Sequence, residues 1–325
     1  INKLEDNNII KTTIEIKTSV EKKTEKWIRL ASKEKSLDSL IEKLATNAIK
    51  QKEIIEFLYR VQEISFKDFS IATNASNYSI KSLENKGFIR IYDKEVSRNP
   101  IKKDIKEYKK HDLTSCQKKV FERIKNAFYR GDKSNKFLIH GVTGSGKTEI
   151  YLQLVEEMIG LGKDSIILVP EISLTPQTID RFVGRFGEQV AVLHSRLSHG
   201  ERFDEWRKIK EGKVKIVIGA RSAVFAPFKN LGLIIIDEEH ESSYKSSQNP
   251  KYHAVDVAKK RVDLENAFLV LGSATPSIET YYECETGKIT LLELKERINK
   301  HVLPQIKVID MREELNKGNK SIFSE

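Results

Sequence analysis

The sequence predicts an α/β protein: a parallel sheet covered by helices on both faces around a phosphate-binding loop, preceded by a small helical unit that closes on a β-ribbon. Three observations carry that expectation. A complete G-x-x-x-x-G-K-[ST] pattern runs from Gly141 to Thr148, between an apolar run and a helical stretch. From Leu113 onwards short apolar runs recur with helical segments between them. Upstream, the apolar spacing is that of short helices and ends at a glycine followed by alternating residues.

The 325 residues suffice for two or three domains, and 39% hydrophobic residues suffice for packed cores. No run approaches a membrane span or resembles a signal peptide, so the simple reading is a cytosolic protein with no membrane partner. Cys116 and Cys284 lie far apart and form no Cys-x-x-Cys pair, which argues against a disulfide framework or a zinc site within the chain. Lysine and arginine number 57 against 47 acidic residues, a formal charge of +10, and the excess is densest in the N-terminal third. Such an excess favours polyanionic partners through Coulomb attraction and counterion release. A start at Ile1 without methionine and an end at Ser324-Glu325 without a closing signal read as a fragment of something longer.

Taken in order, residues 1–35 read as a strand remnant followed by a linker. From Ser36 to Gln62 apolar residues recur at helical spacing through Leu37, Leu40, Ile41, Leu44, Ile54, Ile55, Leu58 and Val61. Phe66 and Phe69 mark a second short unit, and a helix from about Ser76 to Lys86 ends at Gly87. Phe88–Tyr92 then alternates like a strand. This order, over residues 36–97, is that of a winged-helix domain, in which the helix before the wing commonly meets DNA; a helical spacer or protein-docking module has the same pattern. Residues 98–112, with Arg98, Lys102, Lys103, Lys106, Lys109 and Lys110, form a basic linker. Residues 113–325 form the α/β lobe, with strands expected at Phe137–Ile139, Ile166–Val169, Val190–Leu193, Lys215–Ile218, Leu233–Ile236 and Phe268–Leu271.

The chemistry lies at the ends of three of those strands. In Gly141-Val142-Thr143-Gly144-Ser145-Gly146-Lys147-Thr148 the glycines let backbone N–H groups and the next helix N-terminus face a phosphate chain. Lys147 is placed to reach the β- and γ-phosphates of ATP, and the Thr148 hydroxyl to ligate magnesium. Leu233-Ile234-Ile235-Ile236 delivers Asp237, a second magnesium-site residue acting through water, and then Glu238, placed to orient and deprotonate the attacking water. Glu238 tips the reading from nucleotide binding towards hydrolysis, and His240 closes this acidic box and is counted with the catalytic residues. Gly272-Ser273-Ala274-Thr275-Pro276-Ser277 offers hydroxyls that can bond to the acidic box and relay the nucleotide state.

These three motifs, in this order and spacing, resemble the first RecA-like lobe of superfamily 2 DNA helicases, and in particular the primosomal replication-restart helicases. Leu168–Gln177, His194-Ser195 with Glu201-Arg202 and Trp206, Gly219–Pro227, and Ser242-Ser243-Tyr244-Lys245 with Tyr252 resemble that family's connecting motifs, over about residues 36–325. The resemblance implies that Gln117, following Leu113-Thr114, reads adenine. It implies that Thr175, Arg221 and Ser222 contact the backbone of single-stranded DNA, and that Tyr244, Lys245 and Tyr252 form an aromatic-rich loop that stacks on or pairs with it. Physically, hydroxyls and an arginine bind phosphate without reading sequence.

The resemblance further implies an ATP- and Mg2+-dependent 3′-to-5′ helicase of the bacterial cytoplasm and nucleoid, acting on single-stranded and forked DNA in replication restart. Other primosome proteins and a single-strand-binding protein are its implied partners. It implies a reduced N-terminal DNA-binding domain at residues 1–35, with the second motor lobe, its arginine finger and a zinc-holding insertion lying past Glu325. A lone first lobe is then expected to bind ATP–magnesium and turn it over poorly. The alternative is a winged-helix DNA-binding regulator whose ATPase lobe is a conformational switch.

Overall fold

The computed structural model describes residues 23–31, 36–44, 48–96, 98, 105–130, 134–298, 308–318, 321 and 323. Most of the expected N-terminal remnant, and Lys102 and Lys103 of the basic linker, lie outside the described residues. In chain order the first elements are β1 (Thr24–Leu30), α1 (Leu37–Glu42), α2 (Ile49–Val61), β2 (Glu63–Ser65), α3 (Phe66–Thr73), α4 (Asn77–Asn85) and β3 (Ile89–Glu95). There follow α5 (Ser115–Arg130), β4 (Lys136–Gly141), α6 (Lys147–Gly160), β5 (Asp164–Leu168), α7 (Pro176–Phe186) and β6 (Val190–Leu193). The remainder comprises α8 (His199–Lys210), β7 (Ile216–Gly219), β8 (Leu231–Asp237), α9 (Ala254–Glu265), β9 (Phe268–Ser273), α10 (Ile278–Glu285), β10 (Thr290–Leu294) and α11 (Met311–Asn316). By compactness the chain divides into two units, Ile1–Glu107 with Leu174–Lys229, and Tyr108–Ser173 with Asn230–Glu325.

In the first unit, β2-β1-β3 form an antiparallel three-stranded sheet over a core of Ile28, Leu40, Ile54, Ile55, Leu58 and Phe69 with Ile80, Leu83 and Ile89. Apolar residues at helical spacing in α2 and α4 put Ile54, Ile55, Leu58, Ile80 and Leu83 on one buried face each. The Ser65 and Ser76 side chains cap α3 and α4 by accepting from the backbone N–H of Asp68 and Ser79. The helical stretch expected from Ser36 to Gln62 is two helices, and Val61 faces solvent. Helices α1 to α4 and strand β3 fall where helices and a strand were expected, and β2 (Glu63–Ser65) is a strand that was not. The partner of the β3 ribbon comes from upstream: Thr24–Leu30, read as a remnant, is the central strand of this sheet. Its only fully buried side chain is Ile28, so the apolar alternation that would announce a strand is faint.

The same unit contains the parallel pair β6–β7 and helix α8. A capping box starts α8, Ser198 accepting from the Glu201 N–H while the Glu201 carboxylate accepts from the Ser198 N–H. Asp204 on α8 is buried and accepts from the Arg98 backbone N–H at 2.9 Å and its guanidinium at 3.3 Å, and Arg207 pairs with Glu95.

In the second unit β10-β4-β9-β8-β5 pair in parallel, and helices flank the sheet. Each of the six expected apolar runs is a strand, and β5 and β8 are buried almost end to end, as parallel strands covered on both faces must be. The seventh strand, β10, was not expected; it lies at the edge beside β4, and only Leu294 in it is buried.

Candidate nucleotide-binding site

The phosphate loop leaves β4 at Gly141 and enters α6 at Lys147. Gly146 has φ +81°, and a Cβ there would stand 2.2 Å from Gln117 Nε2, so both conformation and space demand glycine. The Lys147 ammonium is buried, donates to the Gly141 carbonyl at 2.8 Å and lies 3.6 Å from Glu238. Ser145 Oγ is buried and has no hydrogen-bond partner among the described residues. A buried cation, an unsatisfied hydroxyl and the N-terminus of a 14-residue helix suit a polyphosphate. Thr148, half-buried at the start of α6, stands where a hydroxyl ligand for magnesium is needed.

Strand β8 carries Asp237 to the sheet's carboxyl end, and the chain then turns at Glu238 with φ +46°, left-handed for a non-glycine residue. The Asp237 carboxyl is held by the Tyr151 hydroxyl, which donates to Oδ1 at 3.0 Å. Burial, then the neighbouring Glu238 charge, pushes the Asp237 carboxyl up to about 6. The same burial and the Asp237 charge hold the Tyr151 phenol far above its usual range, so it stays a donor. The next two residues tie the box to the third motif. Glu239 is buried, and its carboxylate accepts from the Ser277 N–H at 2.7 Å, the Ser277 hydroxyl at 3.1 Å and the Thr280 hydroxyl at 3.0 Å, at the start of α10. His240 Nδ1 lies 2.8 Å from Ser273 Oγ, which also accepts from the Thr275 N–H.

Gln117 on α5 is buried beside the loop. Its Nε2 donates to the Ser145 carbonyl at 2.8 Å and its Oε1 accepts from the Thr114 N–H at 2.8 Å. One N–H and one lone pair of the amide remain, which is what an adenine edge needs. Gln117, Ser145, Leu294, Glu296, Arg297 and Ile298 border a cavity of about 230 Å³, with Cys116 in its wall. Both thiols are free, and burial pushes Cys284 up to about 11. Among the described residues no group of three or more His, Cys, Asp or Glu could hold a metal by itself.

The structure thus brings together Gln117, Gly141, Thr143, Gly144, Ser145, Gly146, Lys147, Thr148, Asp237, Glu238 and His240 within one unit. Thr175, Arg221 and Ser222 belong to the other. Thr175 caps α7 by accepting from the Thr178 N–H, and Arg221 and Ser222 open a 3-10 turn, Arg221–Phe225. Lys245 is exposed and Tyr252 half-buried; Lys245 and His253 form a β-bridge that closes the loop between them. Tyr244 corrects the expectation. It is fully buried, its hydroxyl donating to the Asp237 carbonyl at 2.6 Å, so its ring is not available for stacking on a strand and it serves as an internal strut. Sequence reasoning missed Tyr151 and Glu239; the third acid in a row at an apolar strand's end was the one available sign of the latter.

A family model described as "Type III restriction enzyme, res subunit" matches residues 110–278. The replication restart protein PriA of Bacillus subtilis (strain 168) is 47% identical over 319 residues, covering 97% of this chain and 40% of the relative. PriA of Synechocystis is 45% identical over 267 residues (81% of this chain, 32% of the relative), and PriA of Haemophilus influenzae 39% over 279 residues (82% and 37%). The chain therefore spans well under half the length of these relatives. Among solved structures, RecG bound to a three-way DNA junction matches with 23% identity and a TM-score of 0.43, covering 61% of this chain and 25% of that one. The chain belongs to the family described as the res subunit of type III restriction enzymes, and the relatives above, matched over 81% to 97% of its length, are replication restart proteins PriA.

Proposed function

We propose that this chain is the ATP-hydrolysing lobe of a DNA helicase that works in replication restart. The observation that carries the reading is the meeting of two motifs distant in sequence, Lys147 and Glu238 at 3.6 Å, beside a carboxylate, Asp237, whose orientation is fixed. ATP binds with its β- and γ-phosphates against the loop N–H groups, Lys147 and the Ser145 hydroxyl, and its base against the free edge of Gln117. Thr148 and Asp237 would hold magnesium, which would supply neutralisation of the phosphate charge when bound. One hydroxyl and one carboxylate are the small protein share that magnesium–nucleotide sites use. Glu238 orients the attacking water and takes its proton, and the His240–Ser273 contact passes the state of the acidic box to the third motif.

Thr175, Arg221, Ser222, Lys245 and Tyr252 are the residues proposed to follow single-stranded DNA, chiefly through phosphates, and the residue 24–95 unit is proposed as a winged helix gripping forked DNA. The relatives' names support the process; the 3′-to-5′ polarity, the primosome and single-strand-binding partners, and a place at the bacterial nucleoid are proposed from the resemblance. Among the described residues no helix is long and apolar enough to cross a membrane. The test is steady-state ATP hydrolysis by a protein extended to the full length of the relatives, with and without single-stranded or forked DNA, Lys147→Ala serving as control. Strong stimulation by DNA is expected. A rate indifferent to DNA would replace the motor with the regulatory switch, and Arg221, Ser222 and Lys245 would lose their assigned role.

A further inference from the structure

Resting on the nucleotide-hydrolysing reading, we propose that Tyr151 is a positioning residue that fixes the orientation of the Asp237 carboxylate for the divalent cation, in a slot kept open by Gly272. Tyr151 lies one helical turn after Lys147 on α6, so the helix that begins at the phosphate loop carries both groups into the site. The side chain is fully buried and its hydroxyl donates to Asp237 Oδ1 at 3.0 Å. A buried phenol needs an acceptor, and an aromatic hydrocarbon ring would fill the same core without one.

The second observation is independent of that bond. Gly272 on β9 is the register partner of Asp237 on β8. A Cβ at position 272 would stand 1.7 Å from the Tyr151 hydroxyl oxygen and 2.9 Å from its Cζ. Any other residue on the neighbouring strand would displace the phenol from the carboxylate. Tyr244 meanwhile holds the Asp237 carbonyl, so main chain and side chain of one residue are clamped by two different tyrosines. The phenol holds Oδ1, and rotation of the carboxylate away from that setting breaks the Tyr151 bond. A partner that orients a metal-site carboxylate in this way is commonly worth about 10–100-fold in metal affinity.

The proposal is tested by Mn2+ binding, followed by electron paramagnetic resonance in the presence of ADP, with ADP affinity measured separately in chelator. Tyr151→Phe keeps the ring and removes only the hydroxyl. It is expected to weaken Mn2+ binding about 10–100-fold while metal-free ADP affinity stays as in the parent and melting remains a single cooperative transition at a somewhat lower temperature. On an Asp237→Asn background the same substitution is expected to add nothing, because its effect passes through the carboxylate. Installing p-aminophenylalanine at position 151, which restores a donor at the ring's end, is expected to recover most of the lost affinity. Parent-like Mn2+ affinity in Tyr151→Phe, or an equal loss on the Asp237→Asn background, overturns the positioning role. Failure of the parent chain to bind ADP at all overturns the nucleotide reading itself.

Discussion

Two tyrosine–carboxylate pairs in this molecule have the same chemistry and opposite surroundings. Tyr92 donates to Glu63 at 2.5 Å on the exposed face of the N-terminal sheet, beside the Lys94 ammonium. Tyr151 donates to Asp237 at 3.0 Å under the nucleotide site. Lys94, then the Tyr92 hydroxyl, holds the Glu63 carboxyl below its ordinary value, whereas burial raises Asp237 despite its hydrogen bond. A phenol on its own stabilises a carboxylate; the solvent around the pair decides whether the charge is comfortable. The second pair is the one proposed to meet a cation.

Four substitutions sharpen or break that contrast. The largest effect is expected from Lys147→Ala, which removes the buried cation facing Glu238 and should lower ATP turnover by roughly 10²–10³-fold, read as steady-state hydrolysis, while the DNA binding proposed for the residue 24–95 unit persists. Equal loss of both activities would show that the two regions are not separable. Gly272→Ala should come next. It drives a methyl into the Tyr151 hydroxyl, and overpacking of this kind costs about 1–3 kcal/mol, measurable by urea unfolding; a neutral result would mean that the slot is looser than its geometry.

Asp237→Asn tests the cost of the buried charge. The folded value near 6 lies above the ordinary 3.8, so between those values the folded chain holds more protons than the unfolded one and stability falls as pH rises. Without nucleotide or metal, Asp237→Asn should therefore melt a few degrees above the parent at about pH 7, the gain shrinking towards about pH 4. A gain independent of pH would assign it to packing. The smallest effect is expected of Tyr92→Phe. Glu63 is lowered, so its contribution is present above its ordinary value of 4.5 and lost as pH falls through the lowered one. Because the pair is exposed, the melting temperature should not move measurably.

Much of this was legible in the residues. The phosphate loop is a contiguous pattern, and strands buried on both faces read as apolar runs whatever their neighbours, so Lys147, Asp237 and Glu238 could be placed without coordinates. The pairing of Tyr151 with Asp237 could not, because it depends on strand register and on a missing Cβ at Gly272 in a neighbouring strand. Tyr244 misled for a related reason: an aromatic beside polar residues reads as a surface loop, while its burial is fixed by the turn that follows Glu238. Strands β1 and β10 escaped because each commits a single side chain fully to a core.

Glu239 gives the acidic box a mechanical side. Three donors at the first turn of α10 converge on its one carboxylate, and its own N–H is fastened to the Gly272 carbonyl. The end of β8 and the root of α10 are therefore riveted at a single point. A shift of the Asp237–Glu238 corner drags that helix root with it, and α10 carries Ile278 and Tyr282 outward into solvent. The helix is a lever whose pivot is one residue from Glu238, the group proposed to orient the water.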